Sequence, residues 1–260
     1  SLDLISAGTA TGSHDVAVPG AGGEQGITAT TANNAPTGLT MGSGSDGIGF
    51  EWHSAADAFG VDGLKASVSY ASNDTALVTT AAQTATVENT YSVGVTYVTD
   101  AGDTAVTIGT GISSTDYSKT GTSLTSDEGG YHIGVSAVTG DLTVAVGFGD
   151  GDDVANKGST SNGNASTQVD GEVVKAGVKY VTGDMTLQLG IVSGSAQDSI
   201  TIGTAGTTED SYDKTSASVS YAVASGVTAI LGYSTVDSSD EGTSDATDGT
   251  AWYIGADMAF

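Results

Sequence analysis

Residues 251–260 read Ala-Trp-Tyr-Ile-Gly-Ala-Asp-Met-Ala-Phe, and this stretch decides the fold. Its apolar residues fall at every second position, namely Trp252, Ile254, Ala256, Met258 and Phe260. The residues between them are small or polar except for Tyr253. Because the side chains of a β-strand alternate between its two faces, the stretch predicts a strand with one apolar and one polar face.

The same alternation recurs upstream, so the chain is predicted to be all-β. The further strands are 47–54, 64–72, 90–98, 104–113, 130–138, 142–149, 173–181, 185–193, 215–223 and 227–235. Neighbouring strands are joined by short turns such as Thr139-Gly-Asp141, whose residues adopt the dihedral angles that tight hairpins need. Long polar loops are predicted to separate the hairpins, at 73–89, 114–129, 150–171, 194–214 and 236–249.

The composition excludes several classes of protein. The 260 residues include no cysteine, which rules out disulfides and thiolate chemistry. Six Lys+Arg against 31 Asp+Glu give a formal net charge of -25, so no nucleic-acid partner is expected. No run approaches the roughly 20 apolar residues of a membrane-spanning helix, whereas a barrel strand needs only about 9–11 residues with alternate ones apolar.

Short turns at one end of the strands and long loops at the other are typical of an outer-membrane β-barrel. Tyrosines near the strand ends suit the aromatic girdles of such a barrel: Tyr70, Tyr97, Tyr180, Tyr221 and Tyr233. A soluble β-sandwich or adhesin also has alternating strands. Its solvent-facing positions would carry acids, whereas here they are mostly Gly, Ser, Thr and Ala. The pattern therefore favours the barrel over this alternative.

The paired strands, the terminal Phe260 and the opening of the chain together resemble the general porins of Gram-negative bacteria, especially the alphaproteobacterial type. The opening reads Ser1-Leu-Asp-Leu-Ile-Ser-Ala-Gly-Thr-Ala-Thr-Gly-Ser-His-Asp15. It is similar to the strand and glycine passage that leads into the pore-narrowing third loop of those proteins. The resemblance implies a transmembrane antiparallel up-and-down β-barrel of sixteen strands that assembles as a homotrimer.

One barrel domain is predicted over residues 1–260, with an inward-folded constriction loop at 7–46 and eleven strands in 47–260. A strand end at 1–6 brings the total to about the last twelve strands, with the first four missing. A complete barrel of twelve strands is the alternative, since it also satisfies the even-number rule. The larger barrel is favoured because 7–46 is too long for an ordinary external loop and sixteen strands leave an aqueous channel.

If the apolar faces meet lipid, the residues between them line a channel. The predicted pore-lining residues are titratable: Glu51, His53, Lys65, His132, Lys175, Lys179 and Asp257. Charges avoid lipid in any case, because an outward lysine at mid-membrane costs about 2–4 kcal/mol. The sharper hypothesis is that Lys65, Lys175 and Lys179 face acids of the constriction loop and bias ion passage. The residues singled out in that loop are His14, Asp15 and Glu24.

An acidic cluster, Asp150, Asp152 and Asp153, is a candidate Ca²⁺ site because hard cations bind several oxygens. It lacks the spacing of an EF-hand, and the alternative is a solvated loop. No cofactor is expected to be required, and Ca²⁺ at acidic loops is the one candidate ion.

The sequence therefore predicts a porin of the bacterial outer membrane, not an enzyme. The chain's three histidines lie on different elements, and no catalytic motif accompanies them. Small hydrophilic solutes and ions would diffuse passively through a water-filled channel, and the partners would be outer-membrane lipid and two further copies of the chain. The alternative function is a soluble acidic Ca²⁺-binding surface-layer or adhesin protein.

Overall fold

The computed structural model describes residues 2–3, 10–20, 48–72, 76–80, 83–120, 128–152, 170–198, 208–239 and 247–259. The strands among these residues form a single antiparallel sheet. Its strands are β1 Leu2–Asp3, β2 Ile48–His53, β3 Leu64–Ser72, β4 Ala76–Thr80, β5 Gln83–Ala101, β6 Thr104–Thr120, β7 Glu128–Thr139, β8 Leu142–Asp152, β9 Asp170–Thr182, β10 Met185–Asp198, β11 Thr208–Ala224, β12 Val227–Ser239 and β13 Thr247–Met258. No helix in these ranges is long and apolar enough to cross a membrane.

The strands follow one another in an up-and-down meander. The order across the sheet is β1-β2-β3-β5-β6-β7-β8-β9-β10-β11-β12-β13, and the short β4 pairs with β5 beside this path. In the described residues, β1 and β13 are the two edges of the sheet and do not pair with each other. The all-β, antiparallel, up-and-down fold expected from the alternation is therefore confirmed.

The eleven strands that the alternation indicates after residue 47 all form, but several run further than predicted. β5 begins at Gln83 and β6 continues to Thr120, so the predicted loops 73–89 and 114–129 were drawn too long. In these extensions the apolar alternation stops while the backbone pairing continues, from Thr84 opposite Thr120 onward. Alternation reports only the part of a hairpin that has an apolar face, and the polar part of the ladder leaves no such pattern.

Tight turns close the hairpins at one end of the sheet. Gly140, Gly183 and Gly226 each follow the end of a strand with positive φ, at 56°, 57° and 74°. L-residues with a side chain rarely adopt that conformation, and glycine adopts it freely. These glycines therefore hold the short connections and set the register of the strands that they join.

Apolar side chains point away from the covered face of the sheet. Trp252, Ile254 and Met258 are 71%, 85% and 55% exposed. A row of apolar residues crosses five neighbouring strands in register. From β9 to β13, each lies directly opposite the next, in the order Val178, Leu189, Ala217, Tyr233 and Trp252. The rings of Tyr233 and Trp252 lie 4.5 Å apart. This broad exposed apolar surface is incompatible with a dry interior between two sheets and matches a lipid-facing wall.

The buried side chains lie on the other face and are mostly small and polar. They include Ser67, Ser69, Ser92, Ser216, Ser220 and Ser234, all 7% exposed or less. A soluble domain buries its branched apolar residues and exposes its serines. The inverted arrangement here shows that the polar face is the inside of the protein.

Candidate functional site

Residues 10–20, called the crossing segment below, lie across the polar face of the sheet. The segment begins with a short 3-10 helix, Ala10–His14, continues without regular secondary structure, and ends in a turn at Pro19 and Gly20. Its contacts begin on β3 and end on β11. Eleven residues of extended and turned chain thus span the inner face of eight of the strands on the main path.

The start of the crossing segment is held by serine hydroxyls. The backbone N–H of Ala10 lies 3.1 Å from Oγ of Ser69 and 2.7 Å from Oγ of Ser92. Ala10 is fully buried, and both serines are 4% exposed or less. Buried amide hydrogens need an acceptor, so these hydroxyls supply the hydrogen bonding that a covered N–H would otherwise lose.

His14 anchors the middle of the crossing segment. Its Nδ1 lies 2.7 Å from Oγ1 of Thr96, and its Nε2 lies 2.8 Å from Oγ of Ser67. The residue is 4% exposed. Burial, followed by repulsion from His53, His132 and Lys65, lowers the pKa of His14. The ring is therefore neutral near pH 7 and joins two strands to the segment.

His132 of β7 contacts the same segment from the other side. Its Nε2 lies 3.2 Å from the carbonyl oxygen of Thr11, and its Nδ1 lies 3.9 Å from Oδ1 of Asp15. The His132 side chain is 7% exposed and that of Asp15 is 63% exposed. The histidine is covered by the segment, while the carboxylate of Asp15 remains open to water.

A row of inward-facing glycines makes room for the crossing segment. An added Cβ at Gly109 would lie 2.1 Å from the carbonyl oxygen of His14, and one at Gly177 would lie 1.9 Å from that of Pro19. Both distances are far shorter than any real contact, so no larger residue fits while the segment stays in place. The row runs diagonally from β5 to β10 in three aligned sets, each offset by two residues: Gly94 with Gly111, Gly109 with Gly134 and Gly147, and Gly177 with Gly190.

The segment's far end is fixed to β11. The hydroxyl of Ser216 donates a hydrogen bond to the carbonyl oxygen of Gly20. Gly20 has φ of 72°, and a Cβ there would meet the backbone nitrogen of Gly190 at 2.7 Å. The chain thus approaches β10 backbone to backbone, which only a glycine at this position allows.

The structure places all seven residues predicted to line the pore on the face that carries the crossing segment. The strand register shows this, because each aligns with an inward residue of its neighbour: Glu51 with Ser69, His53 with Ser67, Lys65 with Thr96, His132 with Gly111, Lys175 with Gly147, Lys179 with Gln188 and Asp257 with Thr228. Their role in lining a pore stays a prediction.

Some of these residues are brought together and others are not. Glu51 Oε1 and His53 Nε2 are 3.1 Å apart, and Asp15, His132 and Lys175 line one cavity beside the crossing segment. Asp257 lies opposite Thr228, near the short turn that joins β11 and β12. Of the loop residues predicted, His14 and Asp15 lie in the crossing segment, and Glu24 lies outside the described residues.

The predicted Ca²⁺ cluster lies at the long-loop end of β8. Asp150 and Asp152 pair in register with Glu172 and Asp170 of β9, and Asp153 lies outside the described residues. Among the described side chains, no group of three His, Cys, Asp or Glu residues is arranged to hold a metal ion. Calcium binding at the acidic loops stays a prediction.

Sequence reasoning did not find the glycine row or the serines that hold the crossing segment. A signal was present, because glycine recurs on the polar face of consecutive strands from β5 to β10. A glycine in a strand interior marks a place where another backbone approaches closely. The alternation shows which face the glycines occupy, but only the structure shows that they lie along the crossing segment.

The comparison with known families is decisive. The Gram-negative porin family matches residues 6–241, and the chain therefore belongs to that family. It is a β-barrel protein of the bacterial outer membrane, as its opening and its paired strands predict. No curated protein sequence matches the chain significantly.

Solved structures show the same fold at low sequence identity. A loop-deletion mutant of the outer-membrane protein OmpT of Vibrio cholerae has a TM-score of 0.57 and 17% identity, over 99% of this chain and 74% of that one. A porin refined at 1.8 Å has a TM-score of 0.53 and 16% identity, over 90% and 66%. A trimer form of OmpT has a TM-score of 0.50 and 16% identity, over 81% and 64%. The chain thus spans roughly two thirds to three quarters of the length of these structures.

Proposed function

We propose that the protein forms a water-filled channel through which small hydrophilic solutes and ions diffuse passively, and that the crossing segment narrows it. The observation that carries the proposal is the position of residues 10–20 on the polar face of an apolar-outside sheet. Anything that passes along this face has to pass the segment. Transport of this kind involves no covalent step, so the protein needs no catalytic residue and no cofactor.

The experiment that tests this function is a planar-bilayer recording of the purified, folded protein. We expect stepwise, ohmic conductance increases as single assemblies insert, because a permanently open aqueous path conducts in proportion to voltage. Liposome swelling with sugars of increasing size should give a cut-off. Protein that is folded and inserted but produces no conductance steps would contradict the proposal.

We also infer that the barrel has sixteen strands. In the described part of the chain, the main path of the sheet contains twelve strands, and its edges at β1 and β13 do not pair with each other. An open sheet edge in hydrocarbon is costly, so the wall has to be closed by further strands or by a rearrangement of these edges. Four more strands would close a barrel wide enough for an aqueous channel.

A homotrimer is proposed because a trimer form of OmpT shares this fold. The outer surface of β9–β13 contains an apolar groove around Ala217, bordered by Leu189, Val219, Tyr233 and Trp252. A groove lined by small and aromatic side chains suits close packing against a neighbouring wall. Cross-linking in native outer membranes measures the state directly, and a product no larger than the single chain would contradict it.

Charges on the inner face are proposed to bias ion passage. Lys175 lines one cavity with Asp15, and Lys179 follows on the same face of β9. Opposite charges across a narrow passage favour one ion sign over the other. Replacing Lys175 and Lys179 by glutamate should raise cation preference, measured as the reversal potential in a salt gradient. An unchanged reversal potential would remove this assignment.

A further inference from the structure

Five side chains form one hydrogen-bonded chain between the sheet and the crossing segment. The order is Thr96, His14, Ser67, His53 and Glu51. The successive distances are 2.7 Å, 2.8 Å, 2.7 Å and 3.1 Å between the polar atoms. Ser67 is 2% exposed, and the side chains of Glu51 and His53 are 16% and 31% exposed, so this chain is buried at Ser67 and partly covered at its Glu51 end.

An ionised Glu51 gives the chain a direction. A carboxylate only accepts hydrogen bonds, so His53 presents Nε2–H to Glu51 and leaves Nδ1 as an acceptor. The hydroxyl of Ser67 then donates to His53 and accepts from Nε2–H of His14. The remaining nitrogen of His14, Nδ1, accepts from the hydroxyl of Thr96. One carboxylate thereby selects the tautomer of a histidine that lies two hydrogen-bonding groups away.

We propose that Glu51 is a positioning residue, which acts through His53 and Ser67 to set the proton arrangement that holds His14 and the crossing segment against the sheet, and that acid releases the segment. The proposal deepens the channel function proposed above, because the released segment is the one that narrows the passage. Whether the crossing segment is held against the sheet or released can be measured without a transport assay.

The hydrogen-bonded chain accommodates one added proton but not two. A proton on His53 reverses its direction: His53 then donates to Ser67, Ser67 to His14, and His14 to Thr96. A second proton, on His14, makes both rings donate to Ser67, whose own hydrogen then has no acceptor in the chain. A buried polar group that loses its partner is costly, and so the segment detaches.

The charged groups around His14 also make a proton on its ring unfavourable. Lys65 on β3, His132 on β7 and His53 on β2 face it, and each opposes a second positive charge. On β5 and β6 the nearest inward residues are Gly94, Thr96 and Gly109, which do not titrate in this range. Among the described side chains, the negative groups on this part of the face are Glu51 and Asp15, of which Asp15 is screened by water because it is largely exposed.

The pKa of His14 is lowered from 6.5, with burial as the largest cause. The sign of the pH effect follows from this direction. The held segment favours the neutral ring, so its stabilising contribution is complete above pH 6.5 and is lost as the pH falls through the lowered pKa. Release is therefore expected on acidification and not on alkalinisation.

The test uses a spin label on the crossing segment. The chain has no cysteine and Ala17 is exposed, so Ala17→Cys offers a unique attachment site. In the detergent-purified protein, we expect an immobilised spectrum at pH 8 and a mobile one well below pH 6.5, the ordinary histidine value. A spectrum that stays immobilised to pH 4 would overturn the release.

Three variants in this labelled background separate positioning from a general structural role. Glu51→Gln keeps a hydrogen-bonding partner for His53 but removes the negative charge, so the segment stays held at pH 8 and the release moves about 1 unit to lower pH. Asp257→Asn removes an equal charge from the same face, near the turn between β11 and β12, and should leave the midpoint unchanged. His14→Gln should stay immobilised throughout. Equal midpoints for Glu51→Gln and Asp257→Asn would overturn the proposal.

A second measurement does not depend on any variant. Nitrogen-15 NMR of labelled histidines at pH 8 distinguishes the two neutral tautomers. His14 protonated at Nε2 supports the proposed direction, and His14 protonated at Nδ1 overturns it. Both measurements read the fold alone, whereas a failure of the channel function would appear as absent conductance in a protein whose segment still releases with acid.

Discussion

At the scale of single residues, the inner face of this porin is shaped by glycines and by small hydroxyl side chains. Glycines leave a shallow track across the sheet, and serine and threonine hydroxyls beside it bind the backbone and the histidine of the crossing segment. Each contact is modest, about 1 kcal/mol for a neutral hydrogen bond. Together they place one stretch of chain across a face that is otherwise open to water.

Gly177→Ala should displace the crossing segment, because the new methyl group would lie 1.9 Å from the carbonyl oxygen of Pro19. We expect a measurable change in single-channel conductance and increased mobility of a label at residue 17. Gly147→Ala is the matched control on the same row, since its nearest contact would be an ordinary 3.5 Å to Val18. Equal conductance in the two variants would show that the segment does not rest on Gly177.

At the scale of elements, the alternation predicts the strands well and the loops poorly. Leu64–Ser72 matches the predicted strand at both ends, because apolar and polar residues alternate along its whole length. β11 begins at Thr208, whereas the predicted strand began at 215, because the residues before 215 are mostly polar on both faces. The short β4 was missed because its apolar residues, Ala76, Leu77 and Val78, are consecutive and do not alternate with polar ones. The alternating pattern identifies the part of a strand that contacts lipid. The polar extension of a strand carries no such pattern and is found only from the backbone pairing in the structure.

At the turn between β9 and β10, the backbone conformation alone should decide how much a substitution lowers stability. Gly183 has φ of 57°, and a Cβ there would meet nothing within 4 Å. Gly183→Ala should therefore destabilise the fold by about 1 kcal/mol through backbone strain, and Gly183→Asn by clearly less. Urea unfolding in liposomes measures both. A larger loss for asparagine than for alanine would contradict this reason.

At the scale of the whole molecule, the two faces of the sheet meet different solvents. The sequence predicts this division, and with it the inward placement of Lys65, Lys175 and His132, because period-two alternation leaves no freedom once one face is assigned to lipid. It does not predict the path of the crossing segment. That path depends on contacts such as His14 with Thr96, which lie 82 positions apart in the sequence and carry no local pattern.

A lysine introduced into the outer face should be far more costly than one introduced into the inner face. Ile133 is 47% exposed on the outer side of β7, and Ser136 lies on the inner side of the same strand. Ile133→Lys is expected to destabilise the folded protein in bilayers by about 2–4 kcal/mol. Ser136→Lys should cost less than half as much. Folding equilibria in liposomes compare the two, and equal losses would argue against a lipid-facing outer wall.

The central claim, lipid on one face and water on the other, is tested most directly by single cysteines at consecutive positions 186–189 of β10. In liposomes with brominated lipid, fluorophores at 187 and 189 should be quenched, and those at 186 and 188 should not. A water-soluble quencher should quench the fluorophores at 186 and 188 and leave those at 187 and 189 unquenched. Quenching by brominated lipid at 186 and 188, or no alternation at all, would contradict the account.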